Sequence, residues 1–305
     1  EMYNRMCYNS NYISCAECYL CVPALFSGDI IMYICPICRT RLKENKKGFC
    51  CKKGHGFDKA AQGYVNLLTT SGHNPKTSGD NPMMVKARTD FLSCGYYRPL
   101  ADRAAQIIAS LLEGIAAPVV IDCGCGEGYY TNIYAEILAN AELYGIDISK
   151  TAVKHASAEA QSMRLGNVHF AAASCFDLPF ADRSADLLVC TFAPVSNGEY
   201  SRVLKKGGKL VVICPSEKHL FSMKSVLYSE PYLNKPNEYG LKSFAQQASH
   251  RLEYDITLRS NTDIMNLFAM TPYYYKTPEQ GRAALSALET LKTECGFDIL
   301  VFRKK

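Results

Sequence analysis

Between residues 115 and 215 the chain alternates short apolar runs with stretches of helical period. Val119-Val120-Ile121 is a buried-strand run that ends in Asp122, and "AELYGIDIS" is a second that ends in Asp147. "NVHFAAAS" predicts a third strand, and "SCFDLPFADRSADLLVC" leads into a fourth. "GEYSRVLKKGGKLVVICP" reads as a helix, a Gly-Gly turn and a fifth. Strands alternating with helices predict a parallel, doubly wound sheet. "HRLEYDITLRS" and "GFDILVFRKK" then predict a closing antiparallel pair, for seven strands in all. Residues 215–250 read as an insertion on the substrate side.

Before this core the period is helical. Met84, Ala87 and Phe91 recur at helical spacing after Pro82, and "YYRPLADRAAQIIASLLEGI" predicts a second amphipathic helix ending near Gly114. Residues 63–114 are therefore read as a linker, rich in Gly, Pro, Ser and Asn in its middle, followed by these helices; 115–305 is the main domain. Tyr96 and Tyr97, at the join, read as core positions. No apolar run is long enough to cross a bilayer. The polar, broken N-terminus does not read as an export signal, so the expectation is a cytoplasmic protein with no membrane partner.

Charge changes this picture at one place. The net charge is +5, yet residues 39–59 hold eight basic and two acidic side chains, so the remainder is close to neutral. Two cysteines and a histidine lie in the same stretch. With "YICPICRTRL" they read Cys35-x2-Cys38-x12-Cys51-x3-His55, the spacing of a tetrahedral zinc site. Cys50 is the rival third ligand; Cys51 is preferred because Cys50 follows Phe49 in an apolar alternation and could point inward. Residues 32–62 are thus expected to be a zinc module too small to fold without its metal. Residues 1–31, with a Cys15, Cys18, Cys21 run that lacks a nearby fourth ligand, read as an extension.

The loop after the first strand, Asp122-Cys123-Gly124-Cys125-Gly126-Glu127-Gly128, has glycines spaced G-x-G-x-G. A dinucleotide fold wants G-x-G-x-x-G, and position 129 is Tyr129, so NAD is disfavoured. Asp147 ends the second strand, where a carboxylate can accept ribose hydroxyls. Together these features favour S-adenosylmethionine (SAM). The usual acid after the third strand is displaced, leaving Ser174 or Asp177 near the adenine. "TFAPVSN" occupies the tip of the fourth strand and lacks the Asn/Asp-Pro-Pro-aromatic signature of exocyclic-amine methylation.

The zinc spacing, followed by "GFDKAAQGYVNLL", "ARTDFLSCGYYRPL", "IDCGCGEGYYT", "GIDISK", "DLPF", "RVLKKGGKLV" and "MTPYYYK", resembles the bacterial 23S rRNA guanine-N1 methyltransferases of the RlmA type from about residue 33 to 305. The resemblance implies a Rossmann-like class I SAM methyltransferase with an N-terminal zinc module, acting on N1 of a guanine in a 23S rRNA hairpin. It puts zinc on Cys35, Cys38, Cys51 and His55. It puts the cofactor on Tyr97, the loop Gly124–Tyr130 and Asp147, and on His219 of "PSEKHL". With Asp122 the candidate cofactor set is Tyr97, Asp122, Gly124, Gly126, Glu127, Gly128, Tyr129, Tyr130, Asp147 and His219. One branch of the family is associated with macrolide-type antibiotic resistance. No catalytic base stands out among Asp177, Asp182, Glu199 and His219, and Tyr273, Tyr274 or Tyr275 could stack on the guanine. Oligomeric state is open, a homodimer included. The rival readings are a small-molecule methyltransferase with a purely structural zinc module, and a non-catalytic RNA-binding protein.

Overall fold

From its N-terminal end the described chain makes a small antiparallel meander: β1 (Leu42–Asn45), β2 (Gly48–Cys51) and β3 (Gly56–Asp58). Then come β4 (Val65–Asn66), α1 (Pro82–Ser93), α2 (Arg98–Leu111), β5 (Val119–Cys123), α3 (Tyr129–Ile137), β6 (Glu142–Asp147), α4 (Lys150–Ser162), β7 (Val168–Ala172) and β8 (Ala185–Thr191). They are followed by α5 (Asn197–Val203), β9 (Leu204–Pro215), α6 (Phe221–Leu227), β10 (Phe244–Leu258), α7 (Asn261–Ala269), a 3-10 turn Pro272–Tyr275, α8 (Glu279–Ser286) and β11 (Leu291–Lys304). This is a computed structural model that describes residues 32–69, 81–236 and 238–305. The expectations for residues 1–31, including the Cys15, Cys18, Cys21 run, lie outside the described residues.

The main sheet runs β10-β11-β9-β8-β5-β6-β7-β4. Strands β4 to β9 are mutually parallel, and β11 is antiparallel to both β9 and β10. From β5 the order runs outward in both directions, to β6 on one side and to β8 on the other. The crevice outside the carboxyl ends of β5 and β8 is therefore the topological switch point, where ligands of such sheets bind. The doubly wound, mostly parallel sheet is as expected, with three departures in detail. First, an eighth strand, β4, comes from the segment read as linker: Val65 pairs with Ala171, and buried Leu67 donates its N–H to Ala172 O. Two residues are too few to show a period of two. Second, the Gly-Gly turn is a bulge inside β9. Register against β8 jumps from Ala185↔Leu204 to Leu187↔Lys209, and Gly207 takes a positive φ of 73°. Third, residues 215–250 hold one short helix, while the larger insert, α7 to α8, lies between the last two strands.

The meander is not a separate bead, since residues 31–305 form one compact unit. Tyr33, fully buried, packs its ring against Phe49 of β2 at 6.0 Å and against Tyr144 and Phe180 of the large domain, each at 5.5 Å. Ile34 N–H donates to Pro179 O at 2.8 Å. Arg39 forms an ion pair with Asp177, both half-exposed, so the pair adds little beside the buried rings. Asp177, considered as an adenine contact, thus faces an arginine of the meander. Cys50 is only half-buried, because Phe49 and Cys51 share the inner face of β2. The expectation that Cys50 could point inward is corrected.

Candidate functional site

At the tip of β5 the glycine loop is pinned from both sides. Gly124 N and Cys125 N both donate to Ile146 O, at 2.7 and 3.1 Å. Asp147 closes the arrangement, one carboxylate oxygen accepting from Gly126 N at 3.0 Å and the other from Ser149 N at 2.8 Å. Gly124, Gly126 and Gly128 all have positive φ. At Gly128 a Cβ would lie 2.6 Å from Ala156 Cβ and 2.9 Å from its Cα, so the missing side chain lets α3 and α4 approach. At Gly126 the only heavy atom of the described residues beyond the chain neighbours within 4 Å of a hypothetical Cβ is Arg88 Nη1 at 3.7 Å, so the loop leaves open space there. Glu127 is buried; Tyr129 and Tyr130 open α3, their rings 5.1 Å apart and at right angles.

Asp122 is 1% exposed. One oxygen accepts from Thr131 Oγ1 at 2.6 Å; the other is buried with no partner. Burial pushes this carboxyl up to about 7. The folded state then holds a proton that the unfolded chain releases near pH 4, so this group erodes stability as pH rises from about 4 to about 7.

Tyr97 and His219 meet each other. Tyr97, 2% exposed, stacks edge-on to Phe91 and Phe297, with its hydroxyl 3.4 Å from His219 Nε2. Gly296 N–H donates to His219 Nδ1 at 3.3 Å. Since Nδ1 accepts, the proton of the neutral ring is on Nε2, which donates to Tyr97. Burial, then the nearby Lys224 ammonium, push His219 down to about 3, so the ring stays neutral. Tyr97 thus keeps the core position read from its sequence context while it touches the histidine.

The four candidate bases are not brought together. Arg202 holds Glu199 at 2.7 Å and Asp182 at 3.0 Å, Asp177 faces Arg39, and His219 has Nδ1 engaged. The tyrosines of the 3-10 turn diverge: Tyr273 Oη lies 3.5 Å from Asn234, while Tyr275 Oη reaches Met84 Sδ at 3.0 Å and is mostly exposed. Sequence reading missed Thr131, the partner of Asp122, and Phe192 at the tip of β8. The sequence places "TFAPVSN" at the tip of the fourth strand, but nothing in its letters signals that Phe192 adopts φ +54°.

In the meander, Cys35, Cys38, Cys51 and His55 bring their ligand atoms within 4.8 Å of one another. Cys35 Sγ and Cys51 Sγ each lie 3.4 Å from His55 Nδ1, and Cys38 Sγ is 3.6 Å from Cys51 Sγ. Zinc–sulfur bonds of about 2.3 Å give tetrahedron edges of about 3.7 Å, so the four atoms could hold zinc with little rearrangement. Hydrogen bonds from the Thr40 hydroxyl and amide lower the Cys38 thiol to about 7, favouring the thiolate a metal needs. Lys46 and Lys47 lie in the β1–β2 turn and Lys52 and Lys53 in the β2–β3 turn, all exposed.

A methyltransferase-domain family model matches residues 116–269, and one described as RlmA, N-terminal, matches residues 33–74. A protein of Micromonospora griseorubida named as a 23S rRNA (guanine-N1)-methyltransferase is 31% identical over 287 residues, covering 85% of this chain and 93% of that one. The 23S rRNA (guanine(748)-N1)-methyltransferase of Streptomyces fradiae is 36% identical over 202 residues, covering 65% and 69%. YxjB of Bacillus subtilis, named as a 23S rRNA (guanine-N1)-methyltransferase, is 29% identical over 287 residues, covering 90% and 98%. None of the helices among the described residues is long and apolar enough to cross a membrane. A zinc ribbon followed in one compact unit by a SAM-dependent methyltransferase domain, with relatives spanning both, places the chain in the family of 23S rRNA (guanine-N1)-methyltransferases.

Proposed function

We propose that this protein transfers the methyl group of SAM to N1 of a guanine in a hairpin of 23S rRNA. The observation that carries the reading is the union, in one unit, of the Cys3His ribbon with its exposed lysines and the glycine loop braced by Asp147. Two features fit the cofactor: the partnerless buried oxygen of Asp122 and the open space beside Gly126. Bound SAM supplies a methyl group on a positively charged sulfonium. Asp122 would hold the amino group of its methionine part and Asp147 the ribose hydroxyls, and the loop from Gly124 through Glu127 and Gly128 to Tyr129 and Tyr130 would line the cradle. His219 fixes the hydroxyl of Tyr97 from behind. On accepting the methyl group that the sulfonium would supply, N1 would give up its proton to water. Glu199, Asp182 and Asp177 are held by arginines, so in-line positioning carries most of the catalysis. Cys35, Cys38, Cys51 and His55 would hold zinc, which would brace the two lysine-bearing turns to meet RNA phosphates, contacts that set the register without reading sequence.

The test is methyl transfer from labelled SAM to 23S rRNA, with a small-metabolite panel as the comparison and the site mapped by primer-extension stops. Guanine 748, in the name of the Streptomyces fradiae relative, is the first nucleotide to inspect. Methylation of metabolites but not RNA would overturn the reading. Replacing Lys46, Lys47, Lys52 and Lys53 together should weaken rRNA binding and flatten its salt dependence by up to about 3 log units per decade, with SAM affinity retained. Unchanged rRNA methylation at moderate salt would remove the ribbon from substrate binding.

Asp122 gives a pH prediction. A methionine ammonium binds the ionised carboxylate, while ligand-free Asp122 is half-protonated near pH 7. The SAM dissociation constant should rise about tenfold per pH unit below that point. Asp122→Asn should bind more weakly at pH 8 and lose this dependence. Calorimetry across pH 5.5–8.5 tests it (roughly the window in which this group titrates); a wild-type profile as flat as the variant's would exclude Asp122 from cofactor binding.

A further inference from the structure

Phe192 stands out from every other aromatic side chain among the described residues. It is the first residue after the switch-point strand β8, its φ is +54°, and it is 44% exposed. A bulky residue in the left-handed region is a genuine outlier and is held there only when its surroundings over-determine it. They do so here. Phe192 N–H donates to Ile213 O at 3.0 Å, Cys190 Sγ–H to Ala193 O at 3.2 Å, and Tyr200 Oη–H to Pro194 O at 3.2 Å. The turn is therefore rigid, and it aims an apolar ring at solvent.

Its position ties it to the site. The next residue, Ala193, abuts the cofactor loop so closely that a Cβ on Gly124 would meet Ala193 Cβ at 2.5 Å. The Phe192 ring lies edge-on to Tyr130 at 6.3 Å and tilted against Phe297 at 5.7 Å; Phe297 in turn touches both Tyr97 and His219, at 5.1 and 4.8 Å. One edge of Phe192 thus rests on the aromatic wall between the glycine loop and the Tyr97–His219 pair, and the rest of the ring is open.

Resting on the reading above, we infer that Phe192 is the surface on which the target guanine stacks once it has left its own stack. A base to be methylated at N1 must present its Watson–Crick edge to the donor, which frees its faces for an aromatic partner. A fixed turn supplies that partner without ordering cost at the moment of binding. Stacking is blind to the base's edge, so Phe192 positions the guanine while other contacts select it.

The test uses the full-length chain, rRNA and SAM. Phe192→Leu should lower kcat/KM for RNA about 10- to 100-fold, the loss of one base–aromatic stack, with SAM affinity by calorimetry unchanged. Phe192→Trp should restore activity. As the chain has no tryptophan of its own, that indole's emission then reports directly. With S-adenosylhomocysteine bound, it should be quenched by a hairpin carrying the mapped guanine and not by the same hairpin abasic at that position. Wild-type activity in the leucine variant, loss of SAM affinity in proportion to activity, or equal quenching by the abasic hairpin would each overturn the inference. If the wild-type protein methylates no rRNA, the parent reading fails and this one with it; if it does and the leucine variant matches it, only the stacking role fails.

Discussion

Removing zinc from the Cys35, Cys38, Cys51 and His55 site should unfold the ribbon and disturb the domain behind it. The ribbon has little core of its own. Its principal buried apolar side chains are Tyr33, Leu42 and Phe49, and the rings of Tyr33's large-domain neighbours, Tyr144 and Phe180, complete its packing. Structural zinc contributes on the order of 10–16 kcal/mol to folding such modules, more than three side chains supply. Metal loss should therefore melt β1 to β3 and expose Tyr144 and Phe180. Because Ile34 and Arg39 also clasp the loop after β7, at Pro179 and Asp177, that loop should loosen and SAM affinity should fall about fivefold, a modest coupling. Cys38→Ser should act like chelation, since it removes the half-exposed thiol of the set. The checks are metal content, limited proteolysis between residues 38 and 60, and SAM calorimetry on zinc-loaded and stripped protein. A stripped ribbon that resists protease as well as the loaded one would show that zinc does not hold it.

The second large effect separates two glycines of one loop. Gly128→Val places a branched side chain where the Ala156 backbone already lies within 2.9 Å of a Cβ, at φ +86°. Left-handed strain of about 1–2 kcal/mol and overpacking of about 1–3 kcal/mol act together. Against a typical stability of about 5–15 kcal/mol, the melting temperature should drop by roughly 10 °C and cofactor binding should be lost with the loop geometry. Gly126→Ala meets no atom nearer than 3.7 Å, so only the strain remains and the protein should fold. Its methyl group nonetheless enters the open cradle, and SAM affinity should fall by at least about tenfold, the equivalent of 1.4 kcal/mol. Thermal melts and calorimetry on the pair decide it. A Gly126→Ala protein that binds SAM like the wild type would show that the open space is not the cofactor's.

The ribbon and the α/β core were legible from the sequence because their signals are local. Four ligands at C-x2-C-x12-C-x3-H spacing need only a turn to aim each pair, and a strand that ends in glycines before a helix announces its own loop. What the letters concealed is long-range. Val65–Asn66 became a strand only because β7 offered an open edge. Tyr97 and His219, 122 residues apart, meet through Phe297 on the last strand. The titration of Asp122 depends on depth of burial, and the aim of Phe192 on hydrogen bonds from Cys190 and Tyr200 that fix its turn. Sequence by itself determined most of the elements and the chemistry they carry, since periodicity and ligand spacing act within one turn or hairpin. Tertiary structure alone decided which side chains share a pocket, which carboxylates are already held by arginine, and which ring is left facing solvent, because those outcomes depend on how distant strands are ordered in the sheet.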